Sequence, residues 1–255
     1  MRHAPANPKS RFSLVNAGAM ALLLLIKAQS AHAFVPPARW ILEQVVNRAR
    51  QENLKSFRVV WNSQTATEEW LFQAPNSMRL NRTDANGNRS IVRVKGQAWL
   101  LRSSQPPKRI TNRPDILLEL FTCAREKPSR AAASCWLNRL RDRRINITKA
   151  SLDRTPDGRI AWLIGGMPRE THRARLWIDK EQAIPLRVTR IDNKRGKQKV
   201  FDSRYSAWRT HEPDGLLFPQ VLRRHRDGNL IKRMTLQHVA KNPALSPRLF
   251  QPPSP

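Results

Sequence analysis

Acidic side chains are scarce in this chain: 19 Asp and Glu stand against 47 Lys and Arg over 255 residues, a formal net charge of +28. A glycosidase built on paired carboxylates would have to draw on isolated acids such as Glu68, Glu69, Asp179 and Glu181, which read better as solvated strand and turn positions. Glycine is equally sparse, with nine residues and neither a glycine-rich phosphate loop nor a dinucleotide fingerprint, which argues against nucleotide chemistry. No Gly-x-Ser-x-Gly elbow marks a hydrolase nucleophile. The six histidines are scattered, and none falls in a metal-ligand spacing. No metal, no cofactor and no enzymatic activity are expected.

Cysteine is limited to Cys123 and Cys135, whose spacing is not that of a redox motif. Both follow a segment that reads as an export signal, so oxidation is permitted, and a structural disulfide closing a loop of about a dozen residues is expected.

Long apolar runs are missing except near the start. There Lys9 and Arg11 flank an apolar run over residues 14–26 centred on Leu22, Leu23, Leu24 and Leu25, and Ala31-His32-Ala33 supplies small residues for cleavage. The run is shorter than the roughly 20 residues that span a bilayer. We therefore expect residues 1–33 to be a signal peptide cut after Ala33, and residues 34–255 to form a single periplasmic domain. Cleavage would remove Arg2, Lys9, Arg11 and Lys27 with no acid, lowering +28 by four to +24. Such a field favours anionic partners: phospholipid headgroups, lipopolysaccharide or an acidic protein. Export removes the usual encounter with nucleic acid, which is not expected as a partner. A plainer alternative is that arginine simply coats the solvent face.

What the mature part does contain is period. After Pro36-Pro37, Ile41, Leu42, Val45, Val46 and Ala49 recur at helical spacing and predict one amphipathic helix. From Phe57 onward the period becomes two. Phe57, Val59 and Trp61, then Trp70 and Phe72, then Met78 and Leu80 alternate with more polar neighbours and predict successive strands. Turn clusters at residues 84–88 and at Gly96-Gln97 lead into strands over 91–95 and 98–102. Pro106-Pro107 and Arg113-Pro114 break the pattern, and a helical insertion at about 114–142 carries both cysteines. Strands resume at 145–152, 160–164, 174–179 and 184–188; hairpin-like turn signals at Asn193-Lys194-Arg195-Gly196 and Arg226-Asp227-Gly228-Asn229 then set off strands over 198–208, 218–225 and 230–239. The proline-rich tail from Pro243 is expected to be pinned by Leu249 and Phe250. The fold class is mainly β (α+β): a curved antiparallel sheet of about ten strands forming an incomplete barrel, covered by an N-terminal helix and the helical insertion.

Residues 54–57 at the end of the first helix, the Gln97-Ala98-Trp99 step, Leu176-Trp177-Ile178-Asp179 followed by Pro185-Leu186-Arg187, and the closing segments to Phe250 resemble the periplasmic lipoprotein-localisation carrier family, often called LolA-like. The resemblance implies an incomplete barrel with helices as a lid over an apolar cavity that accepts acyl chains. It also implies an arginine just before a strand-end proline; aligned on Pro75, that place holds Ala74, with Arg79 nearby but shifted in register. The candidate lining is Val59, Trp61, Trp70, Phe72, Met78, Leu80, Val92, Val94, Trp99, Leu101, Leu176, Ile178, Leu186 and Val188. The same residues could instead form a filled core, since eight Trp suit a wide lining and a packed interior equally. Three functions stay open: a carrier of lipid or lipoprotein acyl chains, whose partners would include an anionic membrane surface or an envelope transport protein; a regulatory module binding an envelope protein; and a charge-driven binder.

Overall fold

A computed structural model describes residues 35–251, except 104, 112, 127, 195 and 196. The expected signal peptide with its cleavage site, and Arg195-Gly196 of one expected hairpin turn, lie outside the described residues. Residues from Pro36 onward form one compact unit.

Helix α1 (Ala38–Gln51) starts after Pro37 and buries the predicted stripe Ile41, Leu42, Val45, Val46 and Ala49. Strands β1 (Ser56–Asn62), β2 (Ala66–Gln73), β3 (Ser77–Asp84), β4 (Gly87–Val94), β5 (Gln97–Arg102) and β6 (Gln105–Ile110) then run as a meander. Two helices follow, α2 (Ile116–Ala124) and α3 (Ser129–Asp142). A second meander comprises β7 (Ala150–Arg154), β8 (Ile160–Ile164), β9 (Arg175–Asp179), β10 (Pro185–Lys194), β11 (Lys197–His211), β12 (Leu216–Arg226) and β13 (Asn229–Lys241). A short 3-10 turn at Pro247–Phe250 closes the described chain.

All thirteen strands belong to one antiparallel sheet in the order β6-β5-β4-β3-β2-β1-β13-β12-β11-β10-β9-β8-β7. The chain thus enters the sheet in the middle, runs out to one edge, crosses through α2 and α3 to the other edge, and returns to the middle. The two meanders join where β1 pairs with β13, and the sheet stays open between β6 and β7. An open antiparallel sheet with one apolar face needs a cover, and the helices supply it. Helix α2 is buried along its whole length, from Ile116 to Ala124, and α3 buries Ala132, Ala133, Trp136, Leu137 and Leu140.

The expected disulfide is present: Cys123 in α2 bonds Cys135 in α3, with Cα atoms 5.4 Å apart. The expected strand count of about ten falls short for a physical reason at Pro106-Pro107. These prolines do not end the sheet but lie in β6, which is its edge. An edge strand needs only half of its ladder hydrogen bonds, so it tolerates residues without an N–H. In the other direction, the strand expected from Ile145 starts only at Ala150. Asn146 holds a turn there, its Oδ1 accepting from the Thr148 amide at 3.0 Å and from the Thr148 hydroxyl at 2.7 Å. The tail is pinned as predicted through buried Phe250 and through the Leu249 carbonyl, which accepts from Arg79 Nη1 at 3.0 Å.

Since the disulfide spans 12 residues of sequence, reduction, or the double change Cys123→Ser with Cys135→Ser, is expected to lower the unfolding free energy by about 3 kcal/mol. Urea unfolding with and without reductant measures it, and equal midpoints would contradict it.

Candidate functional site

Residues directly opposite each other in an antiparallel pair share a face of the sheet, so the register sorts the inner side chains into rows. One row runs Phe57, Phe72, Met78, Arg93, Ala98, Ile110 across β1 to β6. The next is Val59, Trp70, Leu80, Ile91, Leu100. The third is Trp61, Glu68, Arg82, Arg89, Arg102.

Around β1 the inner face is closed. Phe121 of α2 descends onto Phe57 and Phe218, with ring centroids 5.6 and 6.2 Å away. Phe57 also stacks on Phe72 at 5.2 Å, and Trp61 meets Trp70 at 5.5 Å and Phe218 at 5.9 Å. Over β3 to β5 it is open. A cleft of about 420 Å³ lies there with Trp70, Met78, Leu80, Ile91, Leu100, Ile110 and Leu118 as its apolar lining. This volume lies within the usual span of ligand sites, about 300–1,000 Å³. Arg82, Arg89, Arg93, Arg102, Arg113 and Arg224 stand around it.

The cleft's two carboxylates are both engaged. Glu68, almost wholly buried, forms ion pairs with Lys232 and, at 3.6 Å, with Arg82. Burial pushes its carboxyl up, but Arg224 and Lys232 together outweigh that and hold it below the ordinary carboxylate value. Asp115 caps α2: its Oδ1 accepts from the Leu117 amide at 3.1 Å and from the Tyr205 hydroxyl at 2.8 Å. Its Oδ2 meets Arg224 Nη2 at 3.4 Å. Asp115 and Arg224 also line a second cleft of about 330 Å³ with Val188, Phe201 and Tyr205. The Asp115, Tyr205, Arg224 contact is thus a shared wall between two openings. Deeper in the cover, Arg143 Nε donates to Glu119 Oε2 at 2.7 Å, both side chains being 8% exposed. Burial raises the Glu119 carboxyl even against the pull of Arg143.

The fourteen residues singled out from sequence divide four ways. Trp70, Met78 and Leu80 line the large cleft. Val59, Trp61 and Phe72 share their rows but are buried with no exposure in the packed part. Val92, Val94, Trp99 and Leu101 are a correction, because they lie on the opposite face. Val92 pairs with Arg79 and Trp99, Ser90 pairs with Leu101, and Val94 pairs with Gln97, each one residue out of phase with the cleft rows. A one-residue slip in phase moves every side chain to the other face. There the C-terminal turn covers β3 and β4, and Arg79 is bound to it as well as to Asn81 Oδ1 at 2.7 Å and Ser90 Oγ at 3.2 Å. In the second meander, Leu176 and Ile178 are fully buried, and Leu186 belongs to a packed cluster with Ala161, Leu163, Trp177 and Ile184. Val188 lines the second cleft. Ile91, Leu100 and Ile110 and the arginine rows were missed. The signal for them was the hairpin turn, since Ala85-Asn86 between paired Asp84 and Gly87 fixes Leu80 opposite Ile91.

Among the described residues no group of His, Cys, Asp and Glu is placed to hold a metal, and no helix is long and apolar enough to cross a membrane. No protein-family model and no curated protein matches the chain. Solved structures do. One is a DUF1329 family protein from Desulfovibrio piger, 12% identical, covering 85% of this chain and 98% of that one at a TM-score of 0.51. Another is a LolA superfamily protein from Nitrosomonas europaea, 12% identical, covering 86% and 99% at a TM-score of 0.46. The Desulfovibrio piger likeness shows a shared fold. An open antiparallel sheet curved around a helical cover is the architecture that the sequence resemblance implied, and the Desulfovibrio piger structure shares it.

Tyr205 is the only tyrosine of the chain, so its titration can be followed alone. Complete burial and the neighbouring Asp115 charge raise its phenol well above the ordinary value of 10.0. A folded value above the unfolded one means the contribution to stability is complete below the unfolded value and is lost as pH rises past it. Tyrosinate absorbance should therefore appear only together with alkaline unfolding, while Tyr205→Phe should cost about 1–2 kcal/mol near neutral pH. Ionisation of Tyr205 in still-folded protein at the ordinary phenol pH would refute this.

Proposed function

We propose that the chain is a non-enzymatic periplasmic carrier that takes up the acyl chains of a lipoprotein or another amphiphile in the cleft over β3 to β5. The observation that carries this reading is the unfilled apolar stretch of the concave face beside its packed aromatic middle, from Trp70 and Leu80 to Ile91 and Leu100. Each buried methylene would contribute about 0.8 kcal/mol, so a single chain of ordinary length supplies enough for specific retention. The side chains around the cleft suit holding better than turnover. Its carboxylates are committed to Lys232, Arg224 and Tyr205, and its other ionisable groups are arginines, which keep their protons. Export by the N-terminal segment would place the carrier in the compartment where such amphiphiles move between membranes.

A second reading, a regulatory module with a filled core, is favoured by the aromatic packing of Phe121 against Phe57 and Phe218. The two differ in what the protein carries. Native mass spectrometry of protein purified gently from its own envelope should find a bound amphiphile that extraction can identify; protein that is empty, and still empty after incubation with lipids, would favour the module. Ile91→Trp should fill the cleft and weaken binding of a fluorescent fatty-acid probe by about tenfold or more. Val92→Ala, one residue along but on the opposite face, should leave probe binding unchanged and cost about 2 kcal/mol of stability. Equal probe binding by wild type and Ile91→Trp would remove the cleft from consideration.

A further inference from the structure

The third inner row places Arg82, Arg89 and Arg102 directly opposite one another on three neighbouring strands and on one face. Like charges in that relation destabilise a sheet, so a row of this kind carries a cost unless anions meet it. The protein supplies few. Asp84 Oδ2 is shared by Arg82 Nε at 2.8 Å and Arg89 Nη2 at 3.5 Å. Glu68 is shared by Arg82 and Lys232. Arg102 Nη1 donates to the neutral amide of Gln105 at 2.9 Å. Four cations (the three arginines and Lys232) therefore face two carboxylates, an excess of two positive charges. The row is also accessible: the Arg89 side chain is 42% exposed.

Its position relative to the cleft gives the excess a direction. The row lies two residues along the strands from Leu80, Ile91 and Leu100, a step of about 7 Å, and three strands spaced about 4.8 Å apart spread the guanidinium groups over about 10 Å. An amphiphile with its chains on the apolar row would bring its headgroup to the arginines. Guanidinium presents a planar fork that fits phosphate oxygens two at a time, in charge-assisted bonds roughly twice as strong as neutral ones.

We propose that Arg82, Arg89 and Arg102 form a site for a phosphate-bearing headgroup, so that the cleft selects phosphorylated amphiphiles over neutral ones. The inference rests on the acyl-chain reading above, and the two can fail separately. The test compares binding of short-chain phosphatidic acid, the matching diacylglycerol and inorganic phosphate to wild type and to the double variant Arg89→Gln, Arg102→Gln. In wild type at low salt, phosphatidic acid should bind about tenfold or more tightly than diacylglycerol. That preference should collapse in the double variant while diacylglycerol affinity holds. Because the variant relieves repulsion in the row, its melting temperature should stay level or rise, which separates loss of a site from loss of fold. Equal binding of the two lipids by wild type, or a preference that survives in the double variant, overturns the headgroup site and leaves the carrier standing. Inorganic phosphate that binds as tightly as phosphatidic acid would make the row a site for the free anion and overturn the lipid headgroup. Binding of neither lipid overturns both readings.

Discussion

Helix α2 has no face turned to water, and every other feature of the concave side follows from how that burial is made tolerable. A helix leaves its first amides and last carbonyls without internal partners, and here the N-terminal end stands in the wall between the two clefts. Asp115 answers the problem by capping the Leu117 amide while its remaining valences go to Tyr205 and Arg224 on the sheet. Arg143 reaches over from the end of α3 to Glu119 and to the Pro114 carbonyl. The Arg143–Glu119 pair is charged and buried, so its value lies less in net stability than in fixing one position for the helix, since displacement would leave an ion unpaired.

With α2 fixed there, Phe121 falls on β1 and β12, and the aromatic side chains of the middle of the sheet close around it. The helix is only nine residues long. It cannot also cover β3 to β5, and among the residues it turns to that side Leu118 alone lines the cleft. The opening is therefore a consequence of a wide sheet and a short cover, not of a loosely packed core. What surrounds it is set by the same arithmetic of strands, because the apolar row Leu80, Ile91, Leu100 is bounded along the strand direction by arginine in both neighbouring rows.

Much of this was legible in the residues. The stripe from Ile41 to Ala49 announced α1, the alternation at Phe57, Val59 and Trp61 announced β1, and the pair of cysteines announced the link between α2 and α3. Phase was not equally legible. In β4 the residues Ile91, Val92, Arg93 and Val94 offer two nearly equivalent alternations, and choosing by apolarity alone selects Val92 and Val94, because it assumes that arginine faces water. The structure places Arg93 inward and Val92 under the C-terminal turn. Composition does not encode which face receives a distant segment of chain; that depends on Phe250, more than 150 residues away in sequence. Hairpin geometry does encode which residues share a face, since a two-residue turn fixes every pair that follows and so sets Ile91 with Leu80.

That misjudged phase bears on the meaning of the charge. Arginine spread over the outside of a protein needs no ligand, because water and salt screen it. Arginine in register across three strands, on the concave side and next to an apolar floor, stands opposite like charge on the neighbouring strand, with Arg82 and Arg89 sharing Asp84 and Arg102 meeting the neutral amide of Gln105. The cost of keeping such a row is smallest when an anion joins it, and an anion that also brings apolar surface to Leu80, Ile91 and Leu100 would satisfy both rows at once. Neither row alone favours a carrier over a sheet with an incomplete cover; their adjacency is what favours the carrier reading, because a merely uncovered apolar strip gains nothing from a surplus of positive charge one step along the strand.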